Sequence, residues 1–292
     1  MKFFNKTISL YRLLLSIPKQ LNELKKMNYS LIELNQKLIF EYYKNDTDTI
    51  NLNDKGFRVH SQFEEDGLLL FIFSKIGFSN KKGVEMCCGW GNECMLSNLI
   101  LYHGFEALLF DGDENSVERA RTFFNNHPNT FQHPPKVLQQ WITKDNVIRI
   151  IKENGFEGEV DIFSLDVDGI DFYLMKELNV INPRVVICEV HNVIPSSLSL
   201  TIPYSDDFDY TNGKFDPEFR SVSLLGMVNL MKNKGYRLIG CHKYGFNVIF
   251  LRNNVGIKFF PEINPEQCFE NAYTRERSKV WSRVAAMPWE IV

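Results

Sequence analysis

Over residues 1 to about 45, apolar side chains recur every seven positions at Leu10, Ile17, Leu24, Leu31 and Leu38. Leu14, Leu21, Asn28 and Asn35 fill the complementary heptad position. This spacing draws one apolar seam along a helix, with Asn where coiled coils admit a polar residue that fixes register. Pro18, with Ser16 as a cap, reads as a helix start, so a short helix followed by a long one over about 17–44 is expected. The seam suits a dimerisation or docking helix, and equally a helix lying across its own chain's domain. A polar stretch from Asn45 to Gly56 interrupts the pattern and reads as a linker, which divides the chain into an arm (1–56) and a larger domain (57–292).

From Ser61 the pattern alternates between helical and extended periodicity. Ser61-Gln-Phe-Glu64 has the form of a capping box before an apolar helix over 66–76. Strands are expected over 82–87, 107–110, 136–140, 160–165 and 184–190, separated by helices over 93–102, 116–126, 144–154 and 171–178. A helix over 224–234 then leads to strands over 236–241 and 247–252. Such alternation means a largely parallel sheet covered on both faces, and ligands of such sheets bind beyond the carboxyl ends of the strands.

Composition narrows the class. The chain has 292 residues, 44% hydrophobic and 24% charged, enough for a large core and too little polarity for disorder. The 24 Phe read as core filler. A net charge of -3, with 33 Lys+Arg against 36 Asp+Glu, offers no field toward a phosphate backbone, so nucleic acid is not expected as a partner. Six Cys without a Cys-x-x-Cys pair read as free thiols of a reducing compartment. No apolar run reaches the ~20 residues of a membrane span, and a cytoplasmic protein is expected. The arm carries a small basic surplus that also fits peripheral contact with an anionic inner membrane.

Polar residues mark the expected strand ends in order. The first strand runs through Glu85 into Gly89-Trp-Gly91, the second ends at Asp111-Gly112-Asp113, and the third leads into Gln140-Trp141-Ile142. The fourth gives Asp166-Val-Asp168-Gly169, and the fifth Glu189-Val-His191. A glycine turn followed some twenty residues later by an acid fits a nucleoside-type cofactor, the acid accepting from a ribose diol and Gln140, Trp141 and Ile142 bordering the base. A dinucleotide fingerprint would place a third Gly where Cys94 stands. The acid lining of Glu85, Asp111 and Asp113 suits a cationic sulfonium better than a polyanion, which favours S-adenosylmethionine.

The ordered set Ser61-Gln-Phe-Glu-Glu-Asp-Gly67, Glu85 with Gly89-Trp-Gly91, Asp111-Gly-Asp113, Trp141-Ile142, Asp166-Val-Asp-Gly169, Pro183-Arg-Val-Val-Ile-Cys-Glu189, Pro203-Tyr204 and Lys234-Gly-Tyr236 with Gly245-Phe-Asn247 resembles the FkbM-like class I methyltransferases found beside bacterial glycan genes. The resemblance spans roughly residues 58–253. It implies a Rossmann-like, doubly wound, seven-stranded, mostly parallel sheet, S-adenosylmethionine as donor, and a hydroxyl of a surface or capsule sugar, or of its activated precursor, as acceptor. The chain departs from that pattern at Cys87 and Cys88, where small residues are usual, at Trp90, at Ile170, and at Ser221, where Gly often precedes the last helix.

Methyl transfer to a hydroxyl requires alignment of the acceptor and removal of its proton. Asp166, Asp168 and His191 are the candidates for that work, and Asp166 and Asp168 with Glu189 also form a candidate oxygen-ligand set for a divalent metal such as Mg²⁺. Gln62, Asp66, Glu189, Tyr204 and Asn247 are the expected acceptor contacts. Residues 196–220 read as a lid, and the tail from Asn254 as packing back on the domain. Phosphate-type or nitrogen acceptors, and a degenerate scaffold that keeps only the fold, stand as the alternatives.

Overall fold

The computed structural model describes residues 2–46 and 52–292, residues 2–14 by backbone alone. The chain divides into two compact units, Met1–Asp46 and Thr47–Val292. The centre of the expected linker, 47–51, lies outside the described residues.

The first unit is a single helix, α1 (Lys2–Asn45). The break expected at Pro18 is absent, and Pro18 lies inside the helix. Its fixed φ is already helical, so the cost is confined to one carbonyl without a donor and to ring contact with the preceding turn. Good helix formers on both sides carry the helix through.

The second unit opens with α2 (Glu65–Ile76), in which every residue from Glu65 to Ser74 is buried. A helix apolar all round belongs inside a layered core. The expected capping box is not formed: Glu64 stands at the cap position without a side-chain bond to the helix, and its carboxylate accepts the Lys243 N–H at 2.8 Å. Ser61 pairs with Asp66 instead, its hydroxyl accepting the Asp66 N–H while the Asp66 carboxylate accepts the Ser61 N–H. Gly67 is required because a Cβ there would lie 2.3 Å from the Phe57 nitrogen.

Strands and helices then alternate as β1 (Lys82–Met86), α3 (Ser97–His103), β2 (Glu106–Asp111), α4 (Glu114–Asn126), β3 (Lys136–Gln139), α5 (Val147–Glu153), β4 (Gly158–Leu165), α6 (Asp171–Glu177) and β5 (Ile181–Glu189). After a long irregular segment containing β6 (Leu200–Thr201) come α7 (Leu224–Asn233) and the hairpin β7 (Tyr236–Cys241) and β8 (Asn247–Arg252). The tail holds α8 (Ala272–Arg277), α9 (Trp281–Val284) and β9 (Glu290–Ile291). α3 starts four residues later than the pattern suggests. The amides of Met95 and Leu96 are drawn onto the Glu85 carboxylate of β1 instead of entering a helix.

The main sheet has seven strands in the order β3-β2-β1-β4-β5-β8-β7. β1 to β5 are parallel, and β8 runs antiparallel to both β5 and β7. This is the Rossmann-like doubly wound architecture expected from the alternation. Strand order reverses between β1 and β4, so the ligand crevice of such a sheet lies at their carboxyl ends. Phe71, Phe73, Phe110, Phe124, Phe156, Phe163, Phe219 and Phe250 are fully buried, which accounts for much of the Phe excess. The tail returns to the domain: β9 pairs with β6, and Trp289 packs edge-on against Phe219 at 4.6 Å. No helix among the described residues is long and apolar enough to cross a membrane.

Candidate functional site

Five loops converge at the carboxyl ends of β1 to β5. The loop after β1 turns through Cys87, Gly89 and Gly91, all at positive φ. A Cβ on Gly91 would meet the Ala120 backbone at 3.2 Å, so glycine lets this turn pack on α4, whereas a Cβ on Gly89 would meet nothing within 4 Å and faces open space. The Gly89 N–H donates to Asp111 Oδ2 and the Asp113 N–H to Asp111 Oδ1, each at 2.9 Å. Burial raises the Asp111 carboxyl above its ordinary range, against the pull of these two bonds.

A pocket follows from there, lined by Cys87, Asp111, Gly112, Gln140, Trp141 and Ile142 and, from the β4 side, by Val167 and Ile170. The structure thus brings together five residues expected from the sequence to border a cofactor. Trp141 packs on the Cα face of Gly112, where a Cβ would lie 2.8 Å from its ring. Gln140 holds the edge of the loop, its N–H donating to the Asp111 carbonyl at 2.8 Å.

Glu85 and Asp113 do not line this pocket. Glu85 is buried beneath it, accepting from Met95 N at 2.7 Å, Leu96 N at 2.9 Å and Cys94 Sγ at 2.8 Å. Burial pushes its carboxyl up to about 7. Asp113 caps α4 through Ser116 N and Oγ, both at 2.8 Å.

Beside the pocket, Asp166, Asp168 and Glu189 bring carboxylate oxygens within 4.8 Å of one another. Asp166 and Glu189 are hydrogen-bonded, and burial raises both well above the ordinary carboxyl range, helped by repulsion from Asp168 and Asp171 at Asp166 and from Asp166 and Asp168 at Glu189. Two acids so placed share a proton more readily than they hold two charges. Asp168 sits at φ +53, a left-handed conformation that aims its side chain at the segment 196–223.

That segment covers the site as a lid. Arg220 is ion-paired with Asp168 and lies over the Tyr210 ring at 4.7 Å. Trp141 Nε1–H donates to the Asp206 carbonyl at 2.6 Å. Phe208 rests on Gly169, where a Cβ would lie 2.5 Å from its ring. Tyr204 accepts the Lys144 N–H at 3.2 Å, donates to Asp206, and lies under the Lys144 ammonium at 4.1 Å. Asp206 and Phe208 complete the pocket wall.

The remaining expected residues lie further out. His191 Nε2–H donates to the Glu218 carbonyl at 2.8 Å, pinning the far end of the lid, and burial lowers its pKa to about 4. Asp66 accepts the N–H groups of Val59, His60 and Ser61, and burial raises it to about 6. Asn247 stands opposite Glu189 in the β5–β8 ladder and donates to Glu65 at 2.7 Å. Gln62 is exposed. Cys88 is buried and Cys87 stands in the pocket wall. Burial and nearby acids raise both thiols, so neither is primed as a nucleophile.

Arg220, Tyr210, Asp206 and Phe208 escaped the sequence reading. Only the excess length and aromatic content of 196–220 pointed to them.

No family model and no curated protein matches the chain. Among solved structures it is similar to an S-adenosylmethionine-dependent methyltransferase from Clostridium acetobutylicum ATCC 824 (12% identity, TM-score 0.38, covering 61% of this chain and 86% of that one). It is also similar to magnesium protoporphyrin IX methyltransferase from Synechocystis PCC 6803, solved with bound SAM (13%, 0.41, covering 74% and 94%), and to the N-terminal domain of EvdMO1, solved with SAH (13%, 0.41, covering 74% and 96%).

Proposed function

We propose that the chain is an S-adenosylmethionine-dependent methyltransferase that methylates a hydroxyl group. Its acceptor is a bacterial surface or capsule sugar, or the activated precursor of one, and it works in the cytoplasm. One observation carries the reading: a pocket bordered by an acid, a glycine and an indole at the ends of β2 and β3 is walled on the β4 side by Val167, whose chain neighbours Asp166 and Asp168 form, with Glu189, a cluster of three carboxylates. The sugar acceptor rests on the resemblance of the motifs.

The residues fit such a cofactor. Each oxygen of Asp111 takes one backbone N–H and keeps a lone pair for a ribose hydroxyl. Trp141 and Ile142 offer apolar edges for a base, and Gly89 leaves open space where a side chain would stand. The acids nearby favour a cation and disfavour a pyrophosphate. When bound, S-adenosylmethionine supplies an electrophilic methyl group on a positively charged sulfur.

The chain's own part is positioning and proton transfer. Asp166, raised by burial and by its neighbours, takes the proton of the acceptor hydroxyl at a carboxylate oxygen, as a base whose pKa lies closer to neutrality than an ordinary Asp. Asp168 holds Arg220, and through it the lid, over the crevice, which excludes water from a reactive alkylating centre. His191, with its pKa near 4 and its Nε2–H committed to a carbonyl, is a weaker base and acts by fixing the lid. Asp166, Asp168 and Glu189 also have the donor set of a hard divalent cation and would hold one at the same place.

Calorimetric titration with S-adenosylmethionine tests the reading. Saturable binding is expected, and no heat at millimolar ligand would overturn it. With binding in hand, a panel of nucleotide sugars and capsule fragments with labelled methyl donor identifies the acceptor.

A further inference from the structure

The face of α1 that carries the heptad seam is open. Ile17, Leu21, Leu24, Leu31, Leu38 and Tyr42 are 40–67% exposed, and Met27 and Leu34 on its shoulder are 62% and 54% exposed. An apolar stripe of this length, about 38 Å from residue 17 to residue 42 at 1.5 Å per residue, exceeds what single scattered side chains put on a surface. These eight side chains offer on the order of 100 Å² each, hence roughly 800 Å² per chain, which is the share each partner contributes to a stable interface.

The arrangement of the stripe selects its occupant. Ile17, Leu24, Leu31 and Leu38 form one row of the seam, and Leu21, Asn28, Asn35 and Tyr42 the other. Knobs-into-holes packing sets each row against the same row of a parallel partner and against the opposite row of an antiparallel one. In a parallel, in-register pair of identical helices, the amides of Asn28 and Asn35 each meet their own counterpart and satisfy one another. An antiparallel partner sets both amides against leucines, and a one-heptad slip leaves each chain with one unmatched amide, a buried polar group without a bond. A lipid surface offers neither amide a partner, and both stand in the middle of the face that would have to enter it.

We infer that α1 is the dimerisation element of this protein and that its partner is a second copy of the same chain, parallel and in register through Asn28 and Asn35. The inference is independent of the chemistry of the other unit.

Light scattering and sedimentation of the full chain test it. At 100 µM the mass is twice 34.1 kDa, and Leu24→Asp with Leu31→Asp returns it to one chain with the circular dichroism of the large unit unchanged. Asn28→Cys, oxidised with diamide, gives a covalent dimer in high yield, because equivalent seam positions of a parallel pair fall within disulfide reach. The unmodified chain, whose six cysteines all lie outside α1, does not. A monomer at 100 µM, a dimer that survives both Asp substitutions, or an Asn28→Cys dimer that fails to cross-link overturns the proposal. So does a monomer that floats with phosphatidylglycerol vesicles, which assigns the face to a membrane.

Discussion

Arg220, on the segment between β6 and α7, is ion-paired with Asp168 at the carboxyl end of β4. This bond ties the lid to the cluster of three carboxylates and sets a cation beside them. Removing it loosens the cover and increases the negative charge below it. Arg220→Gln is expected to lower kcat about 10- to 100-fold, in the range of losing one positioned charge at a reacting centre. Affinity for S-adenosylmethionine should hold or tighten, because a cationic ligand loses a repelling neighbour. Arg220→Lys, which keeps the charge but not the planar group over Tyr210, should recover part of kcat. Steady-state methyl transfer and calorimetry on the three proteins check the pattern, and unchanged kcat in Arg220→Gln removes the lid contact from the mechanism.

Asp166→Asn keeps the size and one acceptor atom of the side chain but cannot take a proton. Turnover should fall about 10²- to 10⁴-fold, the usual contribution of a positioned base, while cofactor affinity changes by a few-fold at most. His191→Ala should lower turnover less than Asp166→Asn does, since its Nε2–H is spent on the Glu218 carbonyl. Single-turnover rates with bound cofactor separate the two, and the reverse ranking would return the base role to His191.

Cys87 and Ser221 both hold left-handed backbone, at φ +68 and +57. A side chain there costs roughly 1 kcal/mol relative to glycine. Cys87→Gly and Ser221→Gly are each expected to raise stability toward urea by about that amount. The midpoint should rise without a change of slope. A lower midpoint in either variant would mean that the side-chain contacts outweigh the backbone.

His242 is buried beside Glu65, with Nε2 4.0 Å from Oε1, while Nδ1 accepts the Asn247 N–H at 3.2 Å. Burial lowers its pKa from 6.5 to about 4, Lys243 adding to that and Glu64 opposing it. As pH falls below about 6.5 the unfolded chain takes up this proton first. The contribution is therefore complete above pH 6.5 and is lost progressively until the folded state also protonates near pH 4. Between pH 7 and pH 5 this one group removes about 2 kcal/mol. His242→Asn keeps an acceptor for the Asn247 N–H and does not titrate, so its urea midpoint should fall less over that interval than the wild-type midpoint. An identical fall in both proteins would show that His242 charges freely in the fold.

The order of elements and the glycine turn were legible because both follow from local rules: alternating periodicity, and backbone that must pass close to a helix. The pocket residues Asp111, Gly112, Trp141 and Ile142 were legible for the same reason, as each sits at the last residue of a strand or within three residues after it. What failed was longer-range. The capping box needed Glu64 to fold back on its own helix, and the carboxylate found the Lys243 amide instead. Pro18 announced a helix start, yet the helix passes through it. Glu85 looked like a pocket acid from its distance to Gly89, but the Met95 and Leu96 amides claim it from below. Arg220 could not be found, because nothing within its own stretch of sequence places a guanidinium against an acid fifty-two residues away.

The indole of Trp141 is bonded at one edge to the lid, through the Asp206 carbonyl, while its ring forms part of the pocket wall. It is one of 4 Trp in the chain; Trp281 and Trp289 lie tilted against each other in the tail, and Trp90 lies against Arg119. Opening the lid exchanges the Trp141 donor bond for one to water and wets one face of the ring. An opening of the cover would therefore be read in the emission wavelength of Trp141 without any attached dye.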